Sequence, residues 1–289
     1  MTRRVFPLPD FIEVELGTYC NRSCDWCGNA WSDRGRRRRA MEPSVWNGLL
    51  ADLRRHRFRG RLAFHNYNEP LADPDFDHRL IEARRALRRA KLVLYTNGDF
   101  LDAARARSLE SLGLDQANVT LYPENRHAFD PPDSTKIDRF LEKIDAKRGL
   151  RTDKRTKLVH TVRIGRLRVV VRVPRIENYN DRAGSVGLVS LGRGELRSAP
   201  CLMLHQAAAI DVHGRLKLCC QIYDTEVTPS GVVGDVRTGF VAVWRSELAR
   251  DLRARLASAE FSNLPCQTCH HSMAQELWDR ATSRLEGPP

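Results

Sequence analysis

Long apolar runs are missing from this chain. No stretch approaches the roughly 18 consecutive apolar residues that a membrane helix needs, so no span is available. The segment Met1 to Pro9 lacks the apolar core of a secretory signal. A reducing cytoplasm is therefore the expected compartment, where cysteines serve as metal ligands or catalysts more often than as disulfides. Lysine is scarce as well: 7 of the 48 basic residues are lysine and the rest arginine. That skew suits a GC-rich coding sequence, so the formal charge of +12 overstates any selection for an anionic partner. The charge still favours encounter with phosphates or acidic peptides. Aromatic residues make up only 7%, which weighs against nucleic-acid binding by base stacking. What remains is a 289-residue chain, 42% hydrophobic and 29% charged, the balance of a globular protein of one large or two ordinary domains.

Strand-like and helix-like segments alternate over the first two-thirds. Phe11 to Leu16 alternates Ile12, Val14 and Leu16 with Glu13 and Glu15, a strand with one polar face. Further strands are expected at Leu62 to His65, Leu92 to Thr96, Ala117 to Leu121 and Arg166 to Val173. Helices are expected at Pro43 to Arg57, Phe76 to Ala90, Leu101 to Leu112 and from Ser134 through Ile144. This spacing predicts five βα units of a parallel sheet or barrel, with a sixth strand near Gly187 to Leu191. After Pro200 the pattern changes to a hairpin, Ala209 to Val212 and Arg215 to Leu218 about His213-Gly214, and then a helix over Val241 to Leu256. The expected boundary lies near residue 195, dividing the chain into 1–195 and 196–289.

Cys20, Cys24 and Cys27 form C-x3-C-x2-C directly after the first strand. Three thiolates on one loop can hold three irons of a [4Fe–4S] cube and leave the fourth iron open for chemistry. A zinc site that borrows a fourth ligand is the competing reading.

The segment Cys20-Asn21-Arg22-Ser23-Cys24-Asp25-Trp26-Cys27 resembles the signature of the radical S-adenosylmethionine (SAM) superfamily, C-x3-C-x-aromatic-C after the first barrel strand. Asn66-Tyr67-Asn68-Glu69-Pro70 stands where the family has a Gly-Gly-Glu-Pro-like turn, with both glycines replaced. Tyr95-Thr96-Asn97-Gly98 matches a Thr-Asn-Gly turn often seen after the third strand. The resemblance covers residues 11 to about 190. It implies an α/β fold, a partial (β/α)6 TIM-like barrel. It also implies a [4Fe–4S] cluster on Cys20, Cys24 and Cys27 whose open iron chelates SAM. Trp26, Asn68, Glu69, Thr96 and Asn97 are the implied SAM contacts.

Five cysteines remain: Cys201, Cys219, Cys220, Cys266 and Cys269. Their spacing, with Gly234-Asp235-Val236, Trp244 and Pro265-Cys266-Gln267-Thr268-Cys269, resembles the SPASM/twitch extension that binds auxiliary Fe–S clusters. A full SPASM domain has seven cysteines, and none follows Cys269 here. The resemblance therefore implies one auxiliary [4Fe–4S] cluster on Cys201, Cys219, Cys266 and Cys269, two clusters in all. Cys220 is left over, although Cys219 and Cys220 could exchange roles. Its bland reading is a small buried hydrophobe. His270 and His271 keep a zinc ribbon open for the C-terminal set.

Arg34 to Arg39, five arginines in six positions, reads as a mobile solvated loop or as a contact for an anionic substrate or carrier. His65, Tyr122 and Asn180 fall at or after strand ends and are candidate substrate contacts.

The resemblance implies reductive cleavage of SAM to a 5′-deoxyadenosyl radical, fed by an external one-electron donor of the flavodoxin or ferredoxin type. The leading expectation is dehydrogenation of an alcohol in a small natural-product intermediate, an aminocyclitol or sugar. Two alternatives stand within the family. One is a ribosomal-peptide maturase, disfavoured because ten residues before Phe11 leave no room for a leader-binding domain. The other is a radical epimerase in which Cys220 returns a hydrogen atom. Outside the family, a zinc-bearing basic nucleic-acid-binding protein would explain the charge but not the cysteine loop in its βα setting.

Overall fold

The computed structural model describes residues 6–123, 134–147, 149–154, 157–175, 181–187 and 196–269. The strands are β1 (Phe11–Val14), β2 (Arg61–Phe64), β3 (Lys91–Thr96), β4 (Gln116–Thr120), β5 (Leu150–Lys154), β6 (Lys157–Ile164), β7 (Leu167–Pro174), β8 (Ala207–Ile210), β9 (Arg215–Lys217) and β10 (Val232–Asp235). The helices are α1 (Pro43–Arg55), α2 (Phe76–Ala86), α3 (Ala103–Ser111), α4 (Ser134–Lys143), α5 (Met203–Gln206), α6 (Phe240–Trp244) and α7 (Glu247–Ala257). Among the described residues no helix is long and apolar enough to cross a membrane.

One ten-stranded sheet runs in the order β10-β9-β8-β1-β2-β3-β4-β7-β6-β5. Its centre, from β8 through β1, β2, β3 and β4 to β7, is parallel. The two edges are antiparallel: β9 and β10 on one side, β6 and β5 on the other. The apolar stripes of α1 (Val45, Trp46, Leu49, Leu50, Leu53) and α2 (Phe76, Leu80, Ala83) pack with Ile12, Val14, Leu62, Phe64, Leu92 and Leu94 in a continuous core. The alternation of elements predicted a parallel sheet or barrel, and this is the partial barrel with a C-terminal extension that the family resemblance implied.

Four features differ from expectation. The sixth parallel strand is β8, which pairs with β1 through Phe11↔Ala207 to Val14↔Ile210. The expected strand at 187–191 lies outside the described residues except for Gly187. The hairpin about Gly214 (φ +81°) therefore continues the barrel sheet directly. β5 and β6, a hairpin inserted between α4 and β7, were not anticipated: Arg151, Asp153, Lys157 and Arg163 interrupt the apolar pattern. The helix expected over 241–256 is two helices, because the Ser246 hydroxyl accepts from Ala249 N–H and starts α7 afresh. Finally, the polar face of β1 does not meet solvent. Glu13 is 6% exposed and lines the barrel cavity, and Glu15, just past the strand, is 0% exposed.

Candidate active site

The cysteine loop leaves β1 after Glu15. That carboxylate accepts two hydrogen bonds from the Arg34 guanidinium and one from Tyr67 N–H. One buried group thus ties the far end of the loop to the turn after β2. The arginine run is accordingly not a uniform solvated loop. Arg34 is half-buried against the fully buried Glu15, Arg38 lies over the Tyr19 ring at 4.0 Å, and Arg39 reaches Glu226, while Arg36 is open to solvent. Packing at Gly28 is equally tight. A Cβ there would clash with the Tyr223 ring at 2.4 Å, and the Tyr223 hydroxyl meets Ser32 Oγ at 2.9 Å and donates to Asn29 Oδ1 at 2.8 Å.

Glu69 is 3% exposed. Its Oε1 accepts from Thr96 Oγ1 (2.7 Å) and Leu71 N–H (3.1 Å), and its Oε2 from Asn97 N–H (2.7 Å). The carboxylate therefore locks the turn after β2 to the turn after β3. Asn97 Nδ2 donates to Asn21 Oδ1 (2.7 Å), and Asn21 Nδ2 and Arg22 both donate to Asp99. The Thr-Asn-Gly turn, with Gly98 at φ +83°, is thus bonded to the cysteine loop. Asn68 Oδ1 accepts from Asn66 N–H at 3.2 Å.

A cavity of about 300 Å³ opens over these turns. Cys20, Cys24, Cys27, Trp26, Asn68, Glu69, Thr96, Asn97, His65 and Tyr122 all line it. Trp26 and Tyr122 are stacked, with ring centroids 6.2 Å apart. Asn180 lies outside the described residues. The cavity also holds groups the sequence reading missed: Glu13, Asn66, Tyr95, Arg172 and Arg182. Lys217, 0% exposed, stands behind Asn66, donating to its Oδ1 (2.5 Å) and to Ile222 C=O (2.7 Å). Glu13 accepts from Asn66 Nδ2 at 3.1 Å and lies 3.7 Å from His65 Nε2. Burial pushes the Glu13 carboxyl up to about 7, against the pull of Lys217, Asn66 and Arg182. Burial, then the charges of Arg172, Lys217 and Arg182, hold His65 down at about 3, a neutral ring tilted against Tyr95 with the centroids 4.1 Å apart. The strand alternation of Glu13 was a usable signal, since a polar residue on a central strand of a barrel faces its lumen. Lys217 gave none.

A second, apolar cavity is lined by Arg197, Cys201, Met203, Leu218, Cys219, Gln221, Leu256, Cys266 and Cys269. Cys219 thus joins the other three C-terminal cysteines, whereas Cys220 turns to the larger cavity and Gln221 borders both. The two cavities therefore meet at residues 219–221.

The donor chemistry fits Fe–S clusters. Burial raises Cys20, Cys24 and Cys266 to about 12, and also raises Cys27, Cys201 and Cys219. Such thiols ionise only when a metal takes the charge. Backbone N–H groups aim at the sulfurs, Arg22 at Cys20 (3.5 Å) and Gln221 at Cys219 (3.3 Å). Among the described residues no three His, Cys, Asp or Glu converge on a point fit for a single ion. Thiolates that each bind a different iron of a cube stand farther apart than the ligands of one ion.

Comparison with known proteins agrees with this geometry. Residues 14–160 match the family model described as the radical SAM superfamily, and residues 201–270 match an iron–sulfur cluster-binding domain, SPASM. Over 118 residues the chain is 36% identical to the S-adenosyl-L-methionine-dependent 2-deoxy-scyllo-inosamine dehydrogenase of Niallia circulans, a match spanning 41% of this chain and 47% of that relative. In fold the chain is similar to the crystal structure of BtrN in complex with AdoMet and 2-DOIA, with TM-score 0.68, 23% identity, and coverage of 93% of this chain and 96% of that one. It is also similar to Streptococcus suis SuiB bound to precursor peptide SuiA, with TM-score 0.51, 11% identity, and coverage of 86% and 67%.

Proposed function

This chain belongs to the radical SAM superfamily, and on that premise we propose that it dehydrogenates an alcohol of a small polyol, an aminocyclitol or sugar. The observation that carries the reading is the shared wall at residues 219–221, with the substrate cavity on one side and four cysteines on the other. The segment identity to a dehydrogenase supports it. We assign a [4Fe–4S] cluster and SAM to Cys20, Cys24 and Cys27, and an auxiliary [4Fe–4S] cluster to Cys201, Cys219, Cys266 and Cys269. When bound, these groups supply a hydrogen-abstracting radical on one side and a one-electron acceptor on the other.

The protein's own residues do the rest. Trp26 and Tyr122 form an aromatic wall for the adenine. Asn68, Thr96 and Asn97 line the SAM pocket, with Glu69 as the positioning residue that fixes the last two. Glu13 takes the hydroxyl proton as the carbinol carbon becomes a carbonyl, and a carboxyl with a pKa of about 7 is suited to that transfer. The buried walls exclude water from the reacting carbon. An external one-electron donor of the flavodoxin or ferredoxin class and a reducing cytoplasm complete the reading, with radical generation assigned to 1–195 and the auxiliary site to 196–289.

One observation favours a second reading. Cys220 lines the substrate cavity, and burial pushes its thiol up to about 12, so it carries hydrogen at neutral pH. A radical epimerase would use that S–H as donor. Turnover in heavy water separates the two. Dehydrogenation gives a product two hydrogens lighter with no solvent label, reduced strongly by Cys269→Ala and little by Cys220→Ala. A solvent-labelled product of unchanged oxidation state, lost in Cys220→Ala, would overturn the first reading.

A further inference from the structure

A hollow of about 660 Å³ opens where the chain leaves α1 and α2 to enter β2 and β3. Those strands run parallel to β1, whose far end carries the cysteine loop. The hollow therefore lies at the opposite end of the sheet from the large cavity, and it shares no lining residue with it. Six exposed arginines line it: Arg54, Arg57, Arg59, Arg85, Arg88 and Arg89. Among the described residues no acidic side chain lines it and none of the six forms an ion pair. The neighbouring carboxylates are taken, Asp52 by Arg55 and His56, and Glu82 by His78 and Trp46.

Helix ends do not account for these charges. A helix C-terminus favours cations and donors to its last carbonyls. At α2 that role belongs to Arg84, which donates to the carbonyls of Leu87 (3.3 Å) and Ala90 (3.1 Å). At α1, Phe58 N–H closes the last turn on Leu53 C=O at 2.9 Å. Arg57 is the informative residue. It follows the α1 cap with φ +55°, the left-handed position that glycine usually fills. The chain thus keeps a guanidinium at the rim against the backbone's own preference. Phe58 and Leu87, both buried, complete an apolar part of the lining.

We propose that this hollow binds an oligophosphate, the phosphate chain of a nucleoside triphosphate or of inorganic polyphosphate. Guanidinium forks match phosphate oxygens two at a time. Linked phosphates bring several negative charges to one place, which six cations around one hollow require. The volume is that of a small-molecule site. No exposed aromatic ring among the described residues lines it for a base to stack on, which favours a phosphate chain over single-stranded nucleic acid. The site is separate from the substrate cavity, so the polyol reading of that cavity does not depend on it.

The test titrates inorganic tripolyphosphate into the anaerobically reconstituted protein by calorimetry at low salt, with adenosine triphosphate in a parallel arm. Wild type should bind one tripolyphosphate per chain, saturably. The double variant Arg57→Gly, Arg88→Gln should bind it at least about tenfold more weakly, and Arg36→Gln, an exposed arginine elsewhere, should bind as wild type does. Glycine suits φ +55°, so Arg57→Gly alone should keep a urea midpoint close to wild type while weakening binding, which separates lost charge from lost fold. Equal affinity for the two probes assigns the phosphate chain alone, and tighter binding of the nucleotide assigns a nucleoside triphosphate. Equal binding by wild type and the double variant, no saturable binding of tripolyphosphate, or tighter binding of a DNA duplex would overturn the proposal.

Discussion

Glu13 and His65 face each other across 3.7 Å, and burial drives both toward neutrality. Their effects on stability run in opposite directions. Glu13 has a native pKa near 7 against 4.5 in the unfolded chain, so the native state holds the extra proton between those values. Its contribution therefore falls as pH rises from 4.5 to 7. His65, near 3 against 6.5, binds its proton more weakly when folded, and its contribution rises with pH over that window. In Glu13→Gln only the rising term remains. Urea midpoints measured between pH 5 and 7 should climb more steeply with pH in Glu13→Gln than in wild type. Parallel slopes would mean that Glu13 titrates normally. The two groups of cysteines that line the cavities, and the lining residues at strand ends, were legible as motifs. Glu13 was read only as the polar side of a strand, and Lys217 not at all, because its burial depends on the β8–β9 hairpin joining the barrel sheet.

The loop after β1 is held as an element by its two ends. At one end Asn21 and Arg22 bond to Asn97 and Asp99. At the other, Arg34 pairs with the fully buried Glu15. Removing Arg34 leaves the buried Glu15 with only Tyr67 N–H and the charge of Lys217 for compensation, so Arg34→Ala should destabilise the protein by up to about 3–5 kcal/mol. Chemical unfolding checks this, and the loop should become the first site of proteolysis. A loss below about 1 kcal/mol would mean the pair behaves as a surface one. The βα units were legible because helical and strand periods alternate cleanly along residues 11–121. β5 and β6 were not, since edge strands with charged residues show no buried period. The Ser246 break was hidden because Val243, Trp244, Leu248 and Leu252 keep a helical stripe across it.

At the scale of the whole molecule, the parallel pairing of β8 with β1 makes the barrel and the C-terminal extension one sheet. That continuity brings Cys219 to one cavity and Cys220 to the other. The sequence ordered the cysteines into a group of three and a group of four but left Cys219 and Cys220 interchangeable, because adjacent residues separate only when the backbone direction between two cavities is known. The central claim is that these are two independent cluster sites and that the first one cleaves SAM. Iron and sulfide content, measured together with 5′-deoxyadenosine formation, tests it most directly. Anaerobically reconstituted wild type should carry about eight irons per chain, and the Cys20, Cys24, Cys27→Ala triple variant about four, with no 5′-deoxyadenosine. An iron content unchanged by the triple substitution, or SAM cleavage surviving it, would contradict the account.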